Sequence, residues 1–433
     1  MIRSTFVVLL FCIGAEHLPA KVHEIHNAQE LSNAIQVCEP GDQLRLGDGT
    51  YEQPLLIKRS GSKDKPITIQ AANSRKAIFK LKGQAAKIEG RYLTISGIVF
   101  DSQYADCTCV YAKGDNIRFH DCEILRAGSV DGTRGGDGVQ FHDSSHCLVE
   151  HCEVHHCLAS KSGERVDSHG IRLTHSHDIT IRDCNIHLIS GDCIQVDPNR
   201  EAWDNIVIQG CTLRGGKVPE NDPLAHPSFA TGAYTAENAI DTKCPKQGRP
   251  KLIISDCIVS EFRGPIGNAA AFNIKENCAV TIDRCTISDS VIGLRLRGPA
   301  HVTVTNCVLF DNDTHCRYED KIPQLHILHC TFSTVTGDGR GVFQEQKPSP
   351  DLRVLGCLFL DKLPQQAPEQ SNAFVGAAGF MNTVAHDYRL AKPLPLANGN
   401  IQSQAKELQT DRAGKTRPEK LPADAGAYQF QQP

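Results

Sequence analysis

The residues best able to do chemistry lie in three short segments. Asp197 ends "DCIQVD", Glu237, Asp241 and Lys243 fall within "ENAIDTK", and Lys275 ends "AAFNIK". In an extended chain alternate side chains share a face, so Glu237, Asp241 and Lys243 project together. An amine among other cations is pushed toward its neutral, basic form. Lys275 and Arg295 could do this for Lys243. Glu237, Asp241 and Asp197 offer hard oxygen ligands suited to calcium. The chemistry on offer is proton abstraction by an amine, with cations opposing the negative charge that develops. A solvated outer strand would show the same alternation, so the scaffold has to decide.

The scaffold is written in a repeat. "IRFHDCEI", "LVEHCEV", "ITIRDCNI", "IVIQGCTL", "LIISDCIV", "VTIDRCTI", "VTVTNCVL", "LHILHCTF" and "LRVLGCLF" share alternating apolar residues, then Cys, one residue, and an apolar residue. The cysteines are Cys122, Cys152, Cys184, Cys211, Cys257, Cys285, Cys307, Cys330 and Cys357, separated by 30, 32, 27, 46, 28, 22, 23 and 27 residues. A minimum near 22 with variable additions describes one coil with loop insertions. Units this short cannot bury a core alone and must stack. The fold class expected is all-β: a single-stranded right-handed parallel β-helix. Its nine cysteines form an inward column of small buried side chains. Stacking holds equivalent Cβ atoms wider than a relaxed disulfide prefers. The off-ladder cysteines, among them Cys107, Cys109, Cys147 and Cys157, are free of that constraint.

A second strand recurs upstream of the Cys strand: "DGVQFH", "HGIRLT", "DCIQVD", "NAIDTK", "AAFNIK" and "IGLRLR". Aligned on inward pairs from Val139/Phe141 to Leu294/Leu296, these segments leave two outward columns. One is Gln140, Arg172, Gln195, Asp241, Asn273 and Arg295. The other is His142, Thr174, Asp197, Lys243, Lys275 and Arg297. Neighbours within a column stand one strand spacing apart. The longest insertions, 213–236 and 158–168, enter this face and are expected to wall a cleft. On that reading Lys243, Lys275 and Arg295 are catalytic, and Arg172, Gln195, Asn273, Arg297, His226 and Tyr234 contact substrate. Glu237, Asp241 and Asp197 hold a metal. His169 shares parity with inward residues and is expected to be buried.

The ends and the bulk numbers fit. Arg3, the apolar run 6–15 and "LPA" ending at Ala20 read as a secretory signal, so the protein is expected to be secreted or periplasmic. No run is long enough for a membrane span. "NAQELSNAIQVC" has Asn27 as a helix cap with Glu30 three residues on, predicting a helix that covers the first coil. The expected divisions are 1–20 signal, 21–100 cap and first coils, 101–360 coils and 361–433 C-terminal cap and tail. A formal charge of −4 and the lack of a basic tail argue against nucleic acid. A capped solenoid is comfortable as a monomer.

"EPGDQLRLGDGTYEQPLLI", "GSKDKPITIQA" and "YLTISGIVF" resemble the start of the chondroitinase B and alginate lyase family of polysaccharide lyases. "HDYRLAKPLPLANG" and "TDRAGKTRPEKLPADAGAYQ" are similar to the closing segment of secreted bacterial β-helix proteins. The resemblance implies a pectate-lyase-like solenoid acting on an acidic, uronate-containing polysaccharide by β-elimination. It implies a lysine base at Lys243, with Lys275 where that family carries a uronate-binding arginine. Acids before the lysine, Glu237 and Asp241, would hold calcium. A glycoside hydrolase, a uronate epimerase and a non-catalytic glycan-binding β-helix are the alternatives. The paired adjacent Asp of pectin hydrolases is absent, and "DSHG" at 167–170 lacks the Pro and acid of the epimerase motif.

Overall fold

The computed structural model describes residues 20–133, 135–198, 202–245, 247–264, 266–337, 341–396, 406–418 and 423–430. The signal-like run, including Cys12, lies outside them. Among the described residues the strands form three mainly parallel sheets of 13, 16 and 11 strands, with Phe380–Asn382 and Asp387–Leu390 as a separate antiparallel pair. Each full coil gives one strand to each sheet in turn. Thus His177–Arg182, Asn185–Ile189 and Asp192–Asp197 lie in the first, second and third sheets before Asp204–Gln209 returns to the first. A parallel β-helix results.

The cysteine column sits at the turn from the first sheet to the second. All nine cysteines from Cys122 to Cys357 are buried. Each thiol donates to the carbonyl two residues earlier: Cys184 to Arg182 at 3.2 Å, Cys257 to Ser255 at 3.2 Å, Cys307 to Thr305 at 3.2 Å. The residue before each of these cysteines has positive φ, from His329 at 50° to Gly356 at 69°. Asp, Asn, His and Gly fill most of those positions, and these types tolerate the left-handed region best. Cys is small enough to follow so tight a turn, and its weak donor satisfies a carbonyl there. Larger apolar residues stack elsewhere inside, as in Tyr51–Phe79–Phe100 and Phe332–Phe359.

The N-terminal end is closed by α1 (Ala28–Val37). Asn27 Oδ1 accepts from the Glu30 N–H at 2.9 Å, and Glu30 accepts from the His26 N–H at 2.7 Å. Leu31, Ala34 and Cys38 face the core as expected. At the other end the chain folds back over the second sheet. Buried Arg417 reaches Asn306 Oδ1 at 2.9 Å, and the Ala427 N–H reaches Thr331 Oγ1 at 2.9 Å.

The strands that carry the charged face belong to the third sheet: β1 (Val139–His142), β2 (Ile171–Thr174), β3 (Asp192–Asp197), β4 (Asn238–Thr242), β5 (Ala270–Ile274), β6 (Ile292–Leu296) and β7 (Thr314–Tyr318). Their register is continuous. Gln140 pairs with Arg172, then Gln195, Asp241, Asn273, Arg295 and Arg317 in succession. The second column runs His142, Thr174, Asp197 and continues past the strand ends. The Lys243 N–H bonds Val196 O, and the Glu319 N–H bonds Leu296 O. Both expected columns are present, extended by Arg317 and Glu319.

Candidate active site on the third sheet

The centre of the face is more buried than outward parity suggests. Gln195, Asp241 and Asn273 are nearly inaccessible, while Lys243 and Lys275 are half-buried. Lys275 Nζ lies 2.9 Å from Asp241 Oδ1, which also accepts from Asn273 Nδ2 at 2.8 Å. Lys243 Nζ donates to the neutral amide oxygen of Gln195 at 2.8 Å. The backbone at Lys243 is anchored by fully buried Trp203, whose Nε1–H donates to its carbonyl at 2.7 Å. The two lysines therefore lean the same way, each over the preceding coil, and only Lys275 is ion-paired with a buried carboxylate.

A third column, unread in the sequence, completes the site. Asp137 and His169 precede β1 and β2, Asp192 and Asn238 open β3 and β4, at the corner between the second and third sheets, and all are buried. The His169 N–H donates to Asp137 Oδ1 at 3.2 Å, the Asp192 N–H to His169 Nδ1 at 3.0 Å, and Asn238 Nδ2 to Asp192 Oδ1 at 2.7 Å. His169 is thus an acceptor at Nδ1, as its buried position requires. Burial and the nearby Arg172, Lys243 and Arg165 charges push its pKa down to about 3. Gly191 has no side chain because a Cβ there would meet His169 Nδ1 at 2.6 Å.

The carboxylates crowd one another. Burial first, then Asp241 and Glu237, hold Asp192 well above the usual carboxylate range. Burial and Asp167 raise Glu237, against the pull of Arg165. Burial raises Asp241, against Lys275. Arg165 comes from the 158–168 insertion, which forms an antiparallel hairpin (Glu153–Lys161 with Glu164–Val166), and lies 3.8 Å from Glu237.

Several expected residues sit elsewhere. Asp197 is taken by Arg172, whose Nε and Nη2 donate to it at 3.0 and 2.6 Å, and by Gln195 Nε2 at 3.0 Å. It is one coil from Asp241 and turned toward the opposite neighbour, so Asp192 replaces it among the crowded acids. Among the described residues, His120, Glu150 and His151 are the ones whose ligand atoms converge within 4.8 Å, on another sheet, where Arg118 and Arg182 already hold Glu150. Arg295 is held by Glu319 through two contacts, 2.8 Å from Nε and 3.2 Å from Nη2. Arg317 reaches the same carboxylate at 2.8 Å and Arg297 at 3.4 Å. One acid missed in the sequence thus binds three arginines, and Arg295 and Arg297 serve the sheet.

The long insertion 213–236 packs away from the lysines, against the second sheet. His226, 1% exposed, gives a 2.8 Å bond to Ser129 O and packs edge-on to Tyr104 and Phe229. Tyr104 Oη donates to Leu224 O at 2.8 Å, and His156 Nε2 meets Asp222 Oδ2 at 2.7 Å. Tyr234 lines a cleft of about 800 Å³ on that side, with Lys217 over its ring at 4.8 Å. Neither His226 nor Tyr234 joins the lysine face.

Residues 22–219 match the family model described as "Pel9A-like, right handed beta helix region", and residues 230–362 match "Right handed beta helix region". The chain is a right-handed parallel β-helix. No curated protein sequence matches it. Among solved structures, pectate lyase Pel9A is 14% identical, with a TM-score of 0.48 over 95% of this chain and 96% of its own. Alginate lyase from Paenibacillus sp. str. FPU-7 is 17% identical, with a TM-score of 0.40 over 76% and 97%. PfbA, a surface adhesin of Streptococcus pneumoniae, is 12% identical, with a TM-score of 0.46 over 71% and 86%. A fold does not fix a function, so the function is argued from the site.

One expectation follows from the third column. Burial raises Asp137 from 3.8 to about 6. A carboxyl whose folded pKa is raised favours folding below its unfolded pKa, and that advantage is lost as pH climbs to the folded value. Asp137→Asn keeps an oxygen for the His169 N–H and cannot ionise. Its stability relative to wild type should therefore rise between pH 4 and pH 7, by up to ~2–3 kcal/mol. Urea melts at the two pH values read the difference, and an unchanged difference contradicts the assignment.

Proposed function

We propose that the protein is a polysaccharide lyase that cleaves a uronate-containing chain by β-elimination at the third-sheet face. The observation carrying the reading is the Lys275–Asp241 pair at 2.9 Å within a largely buried cluster of acids. An amine is thereby fixed beside carboxylates that repel one another, the pairing that elimination from an anion needs. The sequence-level resemblance to polysaccharide lyases points the same way.

The cluster offers hard oxygen donors to a cation. Asp192, Glu237 and Asp241 are raised together, and Asn273 Oδ1 is buried without a hydrogen bond. We assign calcium binding to Glu237, Asp241 and Asp192 in place of the set containing Asp197. Bound calcium would supply the positive charge that offsets the substrate carboxylate. Asn238 orients Asp192, and Asn273 orients Asp241. Lys275, held beside the acid cluster with Lys243 one coil away, takes the proton α to the carboxylate. For this reason the base is assigned to Lys275, with Lys243 as the cation that binds the acidic chain. Arg172, partly exposed beside Lys243, extends the basic edge.

Incubation with a panel of uronate polysaccharides, with and without calcium, tests the reading. Unsaturated ends that vanish with chelator and return with calcium are expected. Asp241→Asn should raise the calcium concentration needed for half-maximal rate by about 10–100-fold, the usual scale for disturbing a metal site. Full activity in chelator would leave the acids as ion-pair partners of the lysines. New ends without unsaturation would point to hydrolysis.

A further inference from the structure

Cys244 directly follows Lys243, and Cys278 lies three residues beyond Lys275, at the corner where the third sheet returns to the first. The register that pairs Asp241 with Asn273 makes Lys243 equivalent to Lys275 and Cys244 equivalent to Glu276. Cys278 is therefore two positions out of step with Cys244. Glu276, at φ 65°, turns the chain and brings Cys278 back toward the neighbouring coil. Both sulfurs converge on one atom, the Lys275 carbonyl oxygen, at 3.8 Å from Cys244 and 3.5 Å from Cys278.

This geometry differs from the ladder. The nine stacked cysteines stand at strand spacing, about 4.8 Å, and each thiol bonds the carbonyl two residues before its own, not a shared one. A disulfide wants Cβ atoms nearer ~3.8 Å. The diagonal pair lies beyond both strand ends, where strand pairing does not set the spacing. Access differs too. Of the described cysteines, all are buried except Cys107 and Cys244.

We propose that Cys244 and Cys278 form a thiol–disulfide exchange site for low-molecular-weight disulfides. Cys244, the accessible member, attacks the small disulfide as its thiolate. One small thiol leaves, and a mixed disulfide remains on Cys244. The Cys278 thiolate then attacks the Cys244 sulfur and expels the second small thiol. The two protons lost by the protein thiols end on the two released thiols, and one protein disulfide balances the one consumed. The neighbouring Cys278, burial and the Glu276 and Asp241 carboxylates all oppose charge on Cys244, so exchange should quicken as pH rises. The product would staple the turns that follow the two lysines. The proposal does not depend on the reaction assigned to those lysines.

The test uses oxidised glutathione on the full reduced chain. The expected product has two fewer thiols and no glutathione mass. A linked peptide pair carrying Cys244 and Cys278 should be found, and dithiothreitol should restore it. Cys278→Ser should instead keep one glutathione on Cys244, the trapped first intermediate, and Cys244→Ser should keep Cys278 unmodified. Peptide mapping separates this from any reaction at Cys107. A wild-type chain that retains glutathione on Cys244, or in which both thiols stay free at glutathione excess, would overturn the proposal.

Discussion

Lys275→Ala is expected to lower kcat on the cleaved polysaccharide by about 10²–10⁴-fold, the usual cost of removing a general base. The variant should still fold. Asp241 loses its partner but keeps the Asn273 bond, and a carboxyl already raised by burial can take up a proton. Lys243→Ala should act differently. Its amine rests on the uncharged Gln195 side chain, so its removal should raise KM for the acidic chain and leave kcat within about tenfold of wild type. Steady-state kinetics on both variants decides between them. If Lys243→Ala loses kcat and Lys275→Ala loses only binding, the roles are reversed. If neither changes turnover, the face is a solvated sheet.

Glu319→Ala should be among the most destabilising substitutions on this face. It leaves Arg295, Arg297 and Arg317 together without the carboxylate that holds all three. Removing one partner of a buried ion pair costs ~3–5 kcal/mol. Arg297 is partly exposed, so the lower end is the better expectation, about 3 kcal/mol. Glu319→Gln should recover part of the loss, because its amide oxygen still accepts from the arginines. Arg295→Ala should lower Tm more than it lowers kcat, in contrast to Lys275→Ala. Thermal melts beside kinetics separate the two kinds of residue. An Arg295→Ala enzyme with normal stability and little turnover would restore Arg295 to the reaction.

The columns were legible because a coil repeats its register. Once the inward pairs were aligned, strand pairing could only place Gln195, Asp241 and Asn273 side by side. The Cys strands were equally clear, since a residue in the left-handed region followed by a small buried thiol leaves a fixed pattern of types. Asp192 and Asn238 were not legible. They share parity with the inward residues, and parity fails at a corner, where the chain leaves one sheet and buried side chains point into the bend. Glu319 lay one coil past the last strand aligned. The course of insertion 213–236 depended on Ser129 and Tyr104, about 100 residues earlier in the chain, and local pattern carries no trace of such partners. His226 looked available for the same reason, although it is a packed structural residue.

Cleavage in oxygen-18 water tests the central claim most directly. Elimination breaks the glycosidic bond with no water added, so none of the new chain ends should carry the label, and one end of each break should be unsaturated. Unsaturated ends should form about 10²–10⁴-fold more slowly with Lys275→Ala. Label in the new reducing ends, or unsaturated ends formed at the wild-type rate by Lys275→Ala, would contradict it.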